Sequence, residues 1–160
     1  GSEMCIRDRI ISTLSHNILT MTTLGREKRA HEFQKIWDEL KLSDFPIVVE
    51  GKRDTKALRE LGIVKHVIEL NDGTSVLSTV ERIFQNSGSS SEFIILTDWD
   101  KAGDKLAKQL ISYGESCDLI PNDRIRRSLA NVTAKEISCV EELPTFALGL
   151  ATRTILFNTT

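Results

Sequence analysis

The chain has 160 residues, of which 40% are hydrophobic and 28% are charged. This length fits one domain with a sizeable core, and this composition excludes disordered, collagenous and transmembrane classes. The formal net charge is −2, so any contact with nucleic acid requires a local basic patch. The three cysteines lack the spacing of a zinc site and the density of a disulfide scaffold, which predicts idle thiols in a reducing cytoplasm.

The first part of the chain, residues 1–24, does not have the pattern of a signal peptide, because Ser, Thr, His and Asn interrupt its weak apolar patch. The opening Gly-Ser and the run SEMCIRDR resemble translated vector or adaptor sequence, so we expect a disordered or adaptor-derived extension here. Residues 25–44 have apolar positions at three- and four-residue steps, which predicts a leading amphipathic helix. Its apolar positions are Ala30, Phe33, Trp37 and Leu40. If Trp37 is exposed, a homodimer or protein-partner surface is expected there.

Short apolar runs alternate with helical patterns over residues 45–150. The runs IVVE, HVIEL and FIILT predict three strands, and SCDLI predicts a fourth. Helical patterns follow in GKRDTKALRELG, in TSVLSTVERIFQ, from about Ala102, and in PNDRIRRSLANV, where Pro and Asp are typical of a helix start. This alternation predicts an α/β fold with a parallel sheet between helices, and it leaves residues 151–160 as a tail.

Three carboxylates follow predicted strands. Glu50 ends the first strand, while Asp98 and Asp100 follow the third. The carboxyl ends of parallel strands share one edge of the sheet, and residues two apart in an extended segment point the same way. Two carboxylates about 4 Å apart repel by roughly 4 kcal/mol at an effective dielectric of 20. A hard cation such as Mg²⁺, with Mn²⁺ as a substitute, would offset that repulsion.

Other interpretations of these acids are open. Asp98 and Asp100 could cap the helix that begins near Lys101, although one aspartate would suffice for that. Asp54 and Asp104 fall in first turns of helices, where a capping role and a role beside a metal are about equally expected. The Asp-x-Asp pair also resembles the motif of haloacid-dehalogenase phosphatases. In those enzymes the motif follows the first strand, whereas here it follows the third. A receiver domain needs an early acidic pair, and the VVEGKRD segment supplies one acid at the strand end.

Two motifs in the right order resemble the Toprim domain of bacterial primases, topoisomerases, overcoming-lysogenization-defect nucleases and the ribonuclease that matures 5S ribosomal RNA. A Glu-Gly pair follows the first strand, and an Asp-x-Asp pair is followed by a glycine three residues on. The matching positions are Glu50, Gly51, Asp98, Asp100 and Gly103. The chain looks most like the small stand-alone archaeal Toprim proteins. The resemblance implies a four-stranded, mostly parallel, Rossmann-like sheet flanked by helices, with Asp98 and Asp100 binding Mg²⁺ and Glu50 as general acid or base or a further ligand.

Basic residues near these acids predict contacts with a nucleic-acid backbone. They are Lys52, Arg53, Lys101, Arg124, Arg126 and Arg127. The leading hypothesis is therefore a Mg²⁺-dependent nuclease that acts on structured RNA, as in ribosomal RNA maturation, with DNA as the less favoured substrate and without membrane association. The alternative is a non-catalytic subunit that binds nucleic acid through its metal while a partner supplies the chemistry.

Overall fold

The structure, a computed structural model, describes residues 25–133 and 136–158, so the predicted extension over residues 1–24 lies outside the described residues. Helix α1 occupies residues 25–42. The following elements are β1 (Ile47–Val49), α2 (Lys52–Glu60), β2 (Val67–Glu69), α3 (Val76–Ser87), β3 (Glu92–Ile95), α4 (Lys101–Ser116), β4 (Ile120–Asn122), α5 (Arg124–Thr133), a 3₁₀ turn (Val140–Glu142) and α6 (Leu143–Asn158). None of the described helices is long and apolar enough to span a membrane.

The four strands form one parallel sheet in the order β2-β1-β3-β4, which confirms the predicted α/β fold. The central strands β1 and β3 contribute Ile47, Val48, Phe93 and Ile95 to the core, each fully buried. Their continuous apolar character follows from helices covering both faces of the sheet. In parallel order, the carboxyl ends of β1 and β3 lie side by side, and this edge carries the predicted acids.

Two hydrophobic clusters hold the helices against the sheet. On one side, α1 packs Phe33, Trp37 and Leu40 against β1, β3 and α5. The Trp37 side chain is 3% exposed, and its Nε1 donates a hydrogen bond to the Leu61 carbonyl at 2.9 Å. Because Trp37 is buried, the condition for expecting a homodimer or protein-partner surface there is not met. On the other side, α3 and α4 pack residues such as Ile83 and Leu110 against the same strands.

The region around Pro121 differs from the sequence-based expectation. The SCDLI run was expected to form the strand and Pro121 to begin a helix, but β4 spans Ile120–Asn122 and includes the proline. Pro121 is tolerated because β4 is an edge strand, where one side of the backbone needs no hydrogen-bonded neighbour. Asn122 then accepts a hydrogen bond from the Arg124 N–H through Oδ1 at 2.9 Å, which starts α5. The expected domain end at residue 150 also falls inside α6.

Candidate metal and nucleic-acid site

Glu50 and Asp98 meet where β1 and β3 end. The Asp98 backbone N–H donates to Glu50 Oε1 at 3.0 Å, although 48 residues separate them along the chain. Glu50 is partly buried, and the Gly51 that follows it is the N-cap of α2. The parallel order of the sheet therefore brings together two acids that the sequence keeps far apart.

Asp100 is the N-cap of α4, and its Oδ1 accepts a hydrogen bond from the Gly103 N–H at 2.7 Å. The capping interpretation is therefore correct for one oxygen of this carboxylate. A Cβ atom built on Gly103 would lie 1.8 Å from the Asp98 carbonyl oxygen. Only glycine fits here, because α4 begins against the backbone of the first aspartate. The Asp-x-Asp-x-x-Gly spacing thus folds the chain so that both aspartates adjoin one helix start.

Asp54 lies beneath the same edge. It is 6% exposed, and its Oδ2 accepts a hydrogen bond from the Gly51 N–H at 3.1 Å. Burial raises the pKa of this carboxyl to about 6, with a further contribution from the charge of Asp98. Asp54 thus closes the first turn of α2 and holds Gly51, and with it the backbone that carries Glu50.

The acids at this edge repel one another. Burial raises the pKa of Glu50, the Asp98 N–H opposes that change, and the charges of Asp98 and Asp100 add to it. Burial also raises the pKa of Asp98, and the negative charges of Asp100 and Glu141 raise it further. Such mutual repulsion indicates a site that is stabilised by a positive charge.

The donor chemistry of the edge fits a hard divalent cation, because every candidate ligand is a carboxylate oxygen. In the described hydrogen bonds, Glu50, Asp98 and Asp100 each use one side-chain oxygen and leave the other available. No set of three or more His, Cys, Asp or Glu side chains within residues 25–133 and 136–158 converges tightly enough to enclose an ion. An ion bound here would therefore depend on one or two carboxylates, completed by water and substrate phosphates, as Mg²⁺ commonly does.

A strap formed by residues 137–140 holds the Asp-x-Asp motif from the far side. The Val140 N–H donates to Asp98 Oδ1 at 2.9 Å. Trp99 donates twice to the same strap, from its backbone N–H to the Ser138 carbonyl and from its indole Nε1 to the Ile137 carbonyl, both at 2.9 Å. These contacts fix the carboxylate of Asp98 and the residue between the two aspartates. No periodic pattern in the sequence predicts this pairing.

Arg126 is buried rather than displayed to a nucleic acid. Its side chain is among the least exposed charged groups, at 6% for the whole residue. Its Nε donates to the Thr97 carbonyl at 3.0 Å, and its Nη2 donates to the Asp98 carbonyl and to Asp104 Oδ1, both at 2.5 Å. The expectation of a phosphate contact is corrected accordingly, since this guanidinium holds the end of β3. Asp104 serves as its ion-pair partner.

The sequence over residues 45–132 matches the Toprim domain family, which covers more than half of the chain. This chain belongs to the Toprim family. A UPF0292 protein from Methanosarcina barkeri is 39% identical over 112 residues, which is 68% of this chain and 73% of that protein. A UPF0292 protein from Pyrococcus abyssi is 36% identical over 121 residues, covering 76% of this chain and 88% of the relative.

A solved structure of a protein from Aquifex aeolicus has a similar fold. It superposes with a TM-score of 0.57 at 25% identity, covering 68% of this chain and 95% of that one. The expected likeness to small archaeal Toprim proteins is therefore confirmed. Toprim membership associates the chain with metal-dependent chemistry on nucleic acids.

The remaining predicted nucleic-acid contacts differ in whether they already form ion pairs. Lys52 and Lys101 are exposed at the starts of α2 and α4, next to the acidic edge. Arg53 is also exposed, with Nη1 3.6 Å from Glu141 Oε1. Arg124 forms an ion pair with Glu39, and Arg127 pairs with Asp123 at 3.2 Å. Of the three arginines of α5, Arg126 is therefore buried and the other two already form ion pairs.

Cys139 lies within the strap, and its reactivity tests the structure of this segment. Its Sγ donates to Glu142 Oε2 at 3.2 Å, and burial together with that carboxylate raises the pKa of the thiol to about 12. Because the thiolate is the nucleophile, we expect iodoacetamide to modify Cys139 at pH 8 at least about tenfold more slowly than free glutathione. Peptide mass spectrometry measures this rate. Glu142→Gln should accelerate it, and a wild-type rate equal to that of glutathione would contradict the described environment.

Proposed function

We propose that this protein is a Mg²⁺-dependent nuclease that acts on structured RNA, such as a ribosomal RNA precursor, in the cytoplasm. The observation that carries the proposal is the hydrogen bond from the Asp98 N–H to Glu50 Oε1, because it joins the two halves of the Toprim motif at one edge. Mn²⁺ has the same preference for oxygen ligands and would substitute for Mg²⁺.

Asp98 and Asp100 would hold the metal ion, with Glu50 as the proton carrier or a further ligand. The bound ion would neutralise charge on the phosphate and lower the pKa of an attacking water. Within the protein, the Asp98 N–H holds one oxygen of Glu50, and burial raises the pKa of its carboxyl. The Val140 N–H keeps Asp98 in a fixed orientation.

A second candidate function is a metal-dependent binding or assembly subunit without turnover. The observation that favours it is the lack of a converging three-ligand cluster among the described residues. A binding role needs only enough acidic and basic groups to retain a phosphate through an ion, whereas catalysis also requires a correctly placed nucleophile.

Cleavage of end-labelled RNA hairpins and matched DNA hairpins separates these two functions. We expect products from RNA with Mg²⁺ or Mn²⁺, fewer products from DNA, and none with chelator. Asp98→Asn should reduce cleavage to background, because it removes a charge from the metal-binding pair. Asp44→Asn is the matched control, since Asp44 is exposed before β1, at the other end of the sheet. Metal-sensitive binding without any product would instead establish the binding subunit.

A further inference from the structure

The outward face of α4 carries a row of three lysines, of which only Lys101 was predicted from the sequence to contact nucleic acid. Lys101, Lys105 and Lys108 are all exposed. At 3.6 residues per turn they fall within an arc of about 60°, and they span about 10 Å along the helix axis. This arc lies opposite the buried face of the helix, which contains Gly103, Ala107, Leu110 and Gly114. The lysines therefore project away from the protein body.

The row begins at the acidic edge, and its lysines form no ion pair with residues 25–133 or 136–158. Lys101 directly follows Asp100, so its first member adjoins the proposed metal ligands. None of the ion pairs among the described residues involves a lysine of this row. The nearest acid on the helix, Asp104, already pairs with Arg126. Among the described residues, the row thus presents positive charge without an ion-pair partner, on a chain whose net charge is negative.

The arginines of α5 offer a contrasting case. Arg124 and Arg127 each have a carboxylate partner, and Arg126 is buried. A phosphate that binds these arginines must compete with an existing ion pair, whereas a phosphate that binds the lysine row displaces only water and counterions. The difference favours α4 as the contact surface.

We propose that the phosphate backbone of the nucleic acid runs from the acidic edge along the outer face of α4, over Lys101, Lys105 and Lys108. This inference rests on the proposed function, because it assumes that the substrate is a nucleic acid. It places part of the substrate on the side of the domain, beyond the reacting phosphate. The row binds by charge and spacing, so it contributes affinity without base specificity.

Fluorescence anisotropy of a labelled RNA hairpin tests the proposal, with the three lysines of the row changed together to glutamine. Each lost phosphate contact reduces the slope of log affinity against log salt concentration by about 0.7 to 0.9. We expect the slope to fall by about 2 and the affinity at 50 mM salt to fall at least about tenfold. Titrations with chelator and with Mg²⁺ separate this charge effect from the metal.

The matched control changes Lys28, Lys35 and Lys41 to glutamine, because these lysines are exposed on α1 and the net charge changes equally. An equal loss of affinity in both triple variants would overturn the proposal, as would a slope that falls only when Arg124 and Arg127 are changed. If the wild type binds neither RNA nor DNA, with or without Mg²⁺, the proposed function itself fails. If the wild type binds and the α4 variant has an unchanged slope of log affinity against log salt concentration, only the proposed contact with the lysine row is overturned.

Discussion

Gly103→Ala is expected to lower the free energy of unfolding by at least about 3 kcal/mol, at the upper end of the usual cost of overpacking. The added Cβ would lie 1.8 Å from the Asp98 carbonyl oxygen, and its nearest neighbours are all backbone atoms of Asp98. A clash with backbone cannot be relieved by rotating a side chain, so either α4 or the end of β3 must move. Urea denaturation followed by circular dichroism measures the change.

Gly149→Ala is the matched control for this substitution. Gly149 lies within α6, and a Cβ built there meets no atom of the described residues within 4 Å, apart from its chain neighbours and the backbone of its own helix. Alanine should therefore stabilise the helix by about 0.5–1 kcal/mol, because it has less backbone entropy to lose than glycine. If Gly103→Ala unfolds at the same urea concentration as the wild type, α4 cannot begin as close to Asp98 as described. Failure of the variant to accumulate as folded protein would agree with the expectation.

Local patterns were sufficient to predict much of this fold. The apolar runs around Val48 and Ile94 have the length and β-branched character of buried parallel strands, and the spacing of Phe33, Trp37 and Leu40 predicts the buried face of α1. The edge that carries Glu50 and Asp98 also followed from strand order, because parallel strands end on the same side. These predictions succeeded because each depends on a short segment and one general rule of packing.

Contacts between distant segments could not be predicted in this way. Nothing in the sequence around Ile137 or Val140 indicates that their backbone groups bind Trp99 and Asp98, since backbone hydrogen bonds carry no residue signature. Arg126 was grouped with its charged neighbours, although only the path of α5 across β3 decides that its guanidinium is enclosed. A helix-face projection alone separates Arg126 from Arg124 and Arg127, but it does not say which face is covered.

Glu50→Gln is expected to reduce the rate of RNA cleavage by about 10² to 10⁴, the usual contribution of a positioned acid or base. Glutamine keeps the size of the side chain and can still accept the hydrogen bond from the Asp98 N–H, but it cannot exchange a proton. RNA affinity should stay within about twofold of the wild type, because the proposed backbone contacts lie on α4. Single-turnover cleavage and anisotropy, measured on the same hairpin, separate the two quantities.

Glu69→Gln is the control that separates the role of Glu50 from a general loss of negative charge. Glu69 ends β2 at the same edge of the sheet, and its Oε1 accepts a hydrogen bond from Thr55 Oγ1 at 2.8 Å. It should therefore retain the wild-type cleavage rate. An equal loss of cleavage rate in both variants would assign the effect to the total negative charge at this edge of the sheet. A wild-type cleavage rate in Glu50→Gln would instead rule out Glu50 as the proton carrier. Loss in Glu50→Gln alone is expected because, of the two carboxylates, only Glu50 contacts the backbone of the Asp-x-Asp motif.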